Sequence, residues 1–177
     1  MIDAREPAEG GPGEPRADRP HLFGGRPEPA LLPWRWAVER LVAARHYWVA
    51  TTRPDGRPHT RPVWGVWRDG AVWFSTGSMA VSNLAAQPAA TVHLESGGEV
   101  VILEGVVRTV SDPSLLTPVV AVYNGKYRWD LDAARLPGPF FALEPDVAFG
   151  WVSDPSGLDA GAAFGGTATR WRFRARA

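Results

Sequence analysis

The chain has 177 residues, 45% of them hydrophobic, with 19 lysines and arginines against 19 aspartates and glutamates. That length and apolar content suit one domain with a substantial core, and the balanced charge excludes a broad basic nucleic-acid face and an acidic solvating tail. Cysteine is absent, which excludes a disulfide scaffold, a thiolate metal site and a cysteine nucleophile; the four scattered histidines lack HxxxH or HExxH spacing, so no metal site is expected.

Residues 1–30 are dominated by Gly, Pro, Arg and Glu, a composition that buries too little apolar surface to offset its ordering entropy. They are expected to form a disordered arm ahead of one domain over 31–177. The arm has no apolar h-region, and no later run approaches the roughly 18 apolar residues of a membrane span. A cytoplasmic protein without a membrane or nucleic-acid partner is expected.

From Pro33, the positions Trp34, Ala37, Val38, Leu41, Val42 and Arg45 follow helical spacing, and proline suits a helix start. The pattern predicts an amphipathic helix of about 12 residues. His46 to Thr52 reads as a strand and Asp55-Gly56 as a turn that accepts positive φ; a second strand is predicted from Pro58 to Trp67. Asp69-Gly70 turns the chain into a third strand, Ala71 to Thr76, so two successive hairpins are expected.

Met79 to Gln87 carries Val81, Leu84 and Ala85 at helical spacing and is stopped by Pro88. Strands are predicted over Ala90 to Glu95 and Val100 to Val110, joined by Ser96-Gly97-Gly98-Glu99. A helix opens at Asp112-Pro113-Ser114 and is expected to end near Asn124-Gly125. After a proline-rich loop, Val147 to Val152 and Thr167 to Phe173 are the last predicted strands, separated by a glycine-rich loop over 153–166. Short strands with glycine turns and few helices indicate a mainly β, closed or half-closed architecture.

One constellation carries ligand chemistry. Arg61 places a forked guanidinium on the second strand, a group suited to phosphate or carboxylate and equally to a surface ion pair. The third strand ends in Ser75-Thr76-Gly77-Ser78 and runs into a helix N-terminus, where free N–H groups favour an anion and where the same residues serve as ordinary caps. In the last strand, alternation sets Thr169, Trp171 and Phe173 on one face and Arg170, Arg172 and Arg174 on the other, a face that suits solvent or an acidic ligand tail. Trp64, Trp67 and Trp73 suit core or interface packing, with Trp64 also placed to stack on a ligand. His59 reads as a solvated strand histidine without catalytic duty.

The ordered run Asp55-Gly56-Arg57-Pro58-His59, Arg61-Pro62-Val63, Asp69-Gly70, Phe74-Ser75-Thr76-Gly77 and Asn83-Leu84 resembles the flavin- and deazaflavin-binding split-barrel family, the pyridoxamine-phosphate-oxidase-like superfamily. His93-Leu94-Glu95, Val100 to Gly105, Lys126-Tyr127-Arg128-Trp129 and Thr169 to Phe173 extend the resemblance over roughly 35–175. It is nearest to the actinobacterial branch that includes oxidoreductases of the deazaflavin F420.

The resemblance implies an antiparallel split β-barrel of six to seven strands with a few peripheral helices, homodimeric, with the site between two barrels. It implies a cofactor, F420 or alternatively FMN, contacted by Arg61, Pro62, Val63 and Trp64 along the ring edge, with Ser75, Thr76, Gly77, Ser78 and Asn83 near the phosphate. Lys126, Tyr127, Trp129 and Arg170 fall on the substrate or second-subunit side. Relatives usually carry a basic residue three positions before the Asn-Leu pair, where this chain has Ala80. The implied activity is hydride transfer between reduced deazaflavin and a small unsaturated substrate. An FMN oxidase or reductase, and a non-enzymatic flavin, haem or small-ligand binder, are the alternatives.

Overall fold

The computed structural model describes residues 14–21, 30–153 and 166–173. Most of the expected arm, Arg174 and most of the 153–166 loop lie outside them. The elements run β1 (Arg16–Asp18), α1 (Trp34–Ala43), β2 (Tyr47–Thr52), β3 (Pro58–Val63), β4 (Gly65–Arg68), β5 (Ala71–Ser75), α2 (Ala80–Ala86), β6 (Ala89–His93), β7 (Glu99–Val110), α3 (Pro113–Tyr127), β8 (Phe140–Val152) and β9 (Thr169–Arg172).

Antiparallel pairing closes a ring. β3 pairs with β2, β2 with β6, β6 with β7, β7 with β8, β8 with β5, and β5 with β4, which continues β3 past a break at Trp64. This is a split barrel, mainly antiparallel sheet with peripheral helices. β9 and then β1 extend the sheet from the C-terminal half of β8.

Alternation sends Tyr47, Val49, Val92, Val101, Leu103, Val72, Phe74 and Leu143 into the barrel interior. α1 closes the end marked by Tyr47, whose hydroxyl donates to the Leu41 carbonyl. α2 closes the opposite end, with Leu84 in the interior and Asn83 bonded to Thr51. A second core lies outside the barrel wall, where Leu116, Val119, Val120 and Tyr123 of α3 pack on Trp73, Phe140 and Ala142. The middle of β5 and the start of β8 are therefore buried on both faces.

Four sequence expectations change. The second predicted strand is two, β3 and β4, because the backbone breaks at Trp64 and changes partner from β2 to β5. β8 begins at Phe140 rather than Val147, since burial on both faces removes the alternation that marks a strand. α3 runs past Asn124-Gly125 to Tyr127, because the Asn124 amide bonds to both backbone groups of Leu131 rather than ending the helix, and Tyr127 is buried. Arg128, at φ 56°, makes the left-handed exit.

The fourth change lies in the arm expected to be disordered, where Arg16–Asp18 form a strand on β9. Asp18 accepts from Arg170 Nε at 2.6 Å and Arg172 Nε at 3.1 Å. Partial burial pushes its carboxyl up, but these two guanidinium partners outweigh that and hold it below the usual carboxylate range. Nine strands are present among the described residues, and the six that form the ring, with β3 and β4 taken as one, agree with the six to seven expected of the barrel. Among the described residues no helix is long and apolar enough to cross a membrane.

The barrel wall bends where Glu104 pairs with Val147 but Gly105 with Pro145, leaving Asp146 as a bulge. A Cβ on Gly105 would stand 2.0 Å from the Glu144 carbonyl oxygen, a backbone atom that yields only if the bulge moves. Gly105→Ala is expected to cost about 2–3 kcal/mol. Thermal unfolding should show a fall of roughly 4–12 °C in the midpoint; an unchanged midpoint would show that the bulge is not a tight approach.

Candidate functional site

The ring is open along one line. The β4–β5 ladder stops at the Gly65–Phe74 pair, and among the described residues β3 beyond it pairs only with β2. The free edge of β3 carries Pro58 and Pro62, which lack the N–H that a further ladder would need. Past Phe74 the chain runs from Ser75 to Ser78 and into α2, where Asn83 Nδ2 donates to Thr51 Oγ1 at 2.9 Å. Thr51 in turn faces His59 across the β2–β3 pair. The Ser75–Ser78 segment therefore passes the open side of β3 between two anchors, Gly65 and His59, and Arg61 lies on β3 between them.

Arg61 is exposed and its guanidinium has no ion-pair partner among the described residues. Pro62 is exposed beside it, while Val63 is buried in the barrel core and is not available to a ligand. Ser75 Oγ donates to the Pro139 carbonyl at 2.9 Å. Thr76 Oγ1 donates to Ser78 Oγ at 2.9 Å, and Ser78 Oγ accepts from the Ala80 N–H at 3.2 Å, so these hydroxyls brace the turn into α2. Gly77 is exposed with open space beside its Cα.

Asn83, expected near a phosphate, is instead fully buried against Thr51. Thr51 Oγ1 also lies 3.3 Å from His59 Nδ1, and His59 is itself buried rather than solvated. The Ala80 side chain is 1% exposed, so the position at which relatives carry a basic residue is here a packing position.

At the other end of the opening, Trp64, Lys126, Tyr127 and Trp129 come together. Tyr127 Oη accepts from the Gly65 N–H at 2.9 Å and lies 2.7 Å from both the Gly65 and Arg45 carbonyl oxygens. Lys126 Nζ donates to the Gly65 carbonyl at 3.0 Å and to Tyr47 Oη at 3.3 Å. The Trp64 ring stacks on Tyr127 with centroids 5.1 Å apart. A side chain on Gly65 would meet the Trp73 carbonyl oxygen at 2.8 Å and the Tyr47 ring at 3.1 Å. Within one copy of the chain Arg170 is not part of this cluster: it lies on β9, outside the ring beside the C-terminal half of β8, and is held by Asp18 of β1. Tyr47 and Arg45 were missed in the sequence, since one reads as a core aromatic and the other as a helix-end cation.

Residues 37–154, more than half of the chain, match the family model for pyridoxamine 5'-phosphate oxidase. The chain belongs to this family and carries its flavin-binding split-barrel fold. No curated protein matches it. Among solved structures, it is similar to a conserved hypothetical protein of Mycobacterium tuberculosis at TM-score 0.62 and 22% identity, covering 72% of this chain and 90% of that one. It is also similar to the FAD-binding protein of Mycobacterium smegmatis (TM-score 0.50, 21% identity, 80% and 98% covered) and the heme storage protein HutZ of Vibrio cholerae (0.53, 19%, 60% and 85%).

Burial, aided by the charge of Arg45, lowers the Lys126 amine from its ordinary 10.5 to about 8. The unfolded chain then binds more protons than the folded chain between these values, so this group makes stability rise with pH across that window. Tyr123, pushed up to about 12 by burial and by Tyr127, acts in the opposite sense above its ordinary 10.0. Between about pH 7.5 and about pH 9.5, the urea midpoint of the wild type should therefore rise relative to that of Lys126→Met. Parallel midpoints would contradict a desolvated ammonium.

Proposed function

We propose that the protein is a cytoplasmic, homodimeric F420-dependent oxidoreductase acting on a small unsaturated substrate. The observation that carries this reading is Arg61, an exposed guanidinium without an ion-pair partner at the opening of the barrel, passed by the Ser75–Ser78 turn. A guanidinium open to solvent and free of an ion pair is available to an anion, and its forked donors suit a phosphate. The family supplies flavin-type cofactors, and the likeness of the motifs to the deazaflavin branch favours F420 over FMN.

The residues present fit such a group in part. Arg61, Pro62 and Trp64 line the opening, with Gly77 leaving room for close backbone approach. The Ser75, Thr76 and Ser78 hydroxyls are already bonded within the turn, and Val63 and Asn83 are buried, so anion recognition falls mainly on Arg61 and on backbone N–H groups. When bound, reduced F420 supplies a hydride; the chain's part is to bind, orient and exclude water.

Support for a dimer comes from the outer face of the sheet. Trp48, Ile102, Val147, Phe149 and Trp151 alternate with the core residues and form an outward apolar band. No helix of the described residues is paired with this band as α3 is with β5. Beside it lies a groove of about 510 Å³ between Ala50, Ala89, Glu104, Val106 and Asp146. A second copy is the occupant that the family implies.

Fluorescence titration of the purified protein with F420 should show saturable binding. Arg61→Ala should weaken it by about 10–100-fold, the value of a hydrogen-bonded charge pair. Binding of FMN alone would move the assignment to a flavin oxidase or reductase, and binding without turnover to a carrier; binding of neither would overturn it. Native mass spectrometry should show two subunits, and Val106→Glu, at a position 50% exposed, should give one. A wild-type monomer would remove the dimer.

A further inference from the structure

Two tryptophans stand in solvent side by side at the Tyr47 end of the opening. Trp64 is 40% exposed and Trp129 47%, and their rings meet at 5.3 Å between centroids and 89° between planes. Large exposed aromatic surface in contact with itself is uncommon unless something covers it. The corner is also held in place before any ligand arrives. Trp64 lies flat on Tyr127, 6° from parallel, and Tyr127 is anchored through its hydroxyl to Gly65 and Arg45. A preformed aromatic surface loses little conformational freedom on binding.

Charge gives the second half of the argument. Lys126 Nζ lies 5.5 Å and the Arg45 guanidinium 5.8 Å from the centroid of the Tyr127 ring. Neither cation has a carboxylate within ion-pair distance among the described residues. Asp130 and Asp132 follow Trp129 in sequence without pairing to either, and Asp132 Oδ1 accepts from the Ala134 N–H instead. An apolar right-angled corner thus adjoins two uncompensated positive charges.

We propose that the Trp64–Trp129 corner, with Arg45 and Lys126, is a binding site for a planar conjugated ring that carries a carboxylate or similar anion. A neutral ring satisfies only the indoles, and an aliphatic acid only the cations. As an acceptor-substrate site the corner rests on the oxidoreductase reading; as a binding site it does not, because the test uses no cofactor and its variants leave Trp64, the one residue shared with the cofactor opening, unchanged.

Isothermal titration calorimetry on the full chain at about pH 7, without cofactor, distinguishes the cases by comparing 2-naphthoate, 2-naphthamide and cyclohexanecarboxylate. 2-Naphthoate should bind at least about tenfold more tightly than either control, a difference of about 1.4 kcal/mol. Trp129→Ala, at an exposed position, should weaken 2-naphthoate and 2-naphthamide alike. Arg45→Gln, whose side chain makes no hydrogen bond among the described residues, should weaken 2-naphthoate about tenfold and leave 2-naphthamide unchanged. Equal affinities for the three compounds, or 2-naphthoate binding untouched by Trp129→Ala, would overturn the proposal. Failure of F420 to bind in the separate titration would leave these results standing.

Discussion

The hydroxyl of Tyr127 holds the point at which the barrel opens. By accepting from the Gly65 N–H, it satisfies a residue that has left one ladder and only begun the next. Without that partner, a buried N–H would stand unpaired at the break, at a cost of about 1–3 kcal/mol, while the Gly65 carbonyl would keep Lys126 Nζ. The constraint acts on the sequence twice. Position 65 must be glycine because Trp73 and Tyr47 press against it, and α3 must run far enough to deliver a tyrosine there.

From this point the two cores divide the work. The barrel interior is filled by alternating residues of β2, β5, β6, β7 and β8, which fixes the register of the ring. The second core, under α3, presses on the outer face of β5 and β8 and sets the height at which Lys126 and Tyr127 reach the break. The position of the opening therefore depends on packing outside the barrel as much as on pairing within it.

What the sequence discloses follows from which physical signal each element leaves. β2, β6 and β7 alternate because one face meets the core and the other does not, and Asp55-Gly56 and Asp69-Gly70 mark turns by positive φ. The break at Trp64 is hard to read because its only local marks, Pro62 and Gly65, also suit an edge strand and lie within a run otherwise patterned as one strand. The first half of β8 is hidden by burial on both faces. Asp18 is hidden differently: in a Pro- and Gly-rich arm nothing local distinguishes it, and its partners Arg170 and Arg172 lie more than 150 residues away. Arg61, Pro62 and Trp64, expected beside a cofactor, are exposed at the opening; Val63 and Asn83 share the same motifs but face inward.

The burial of Ala80 sharpens the electrostatics of the opening. A basic side chain at that position would have to leave the packed interface of α2 to reach the Ser75–Ser78 turn, so this chain does without it. The turn is instead braced by its own hydroxyls, which fixes its shape while lowering its capacity to accept new hydrogen bonds. An anion bound at β3, as proposed, would meet the exposed Arg61 guanidinium and backbone N–H groups without a second cation from position 80. At the other end of the opening the balance is reversed: two cations and two indoles stand together, held by the tyrosine that also holds the break. The same residue that opens the barrel therefore separates it into a weakly charged end beside α2 and a strongly charged aromatic end beside α3.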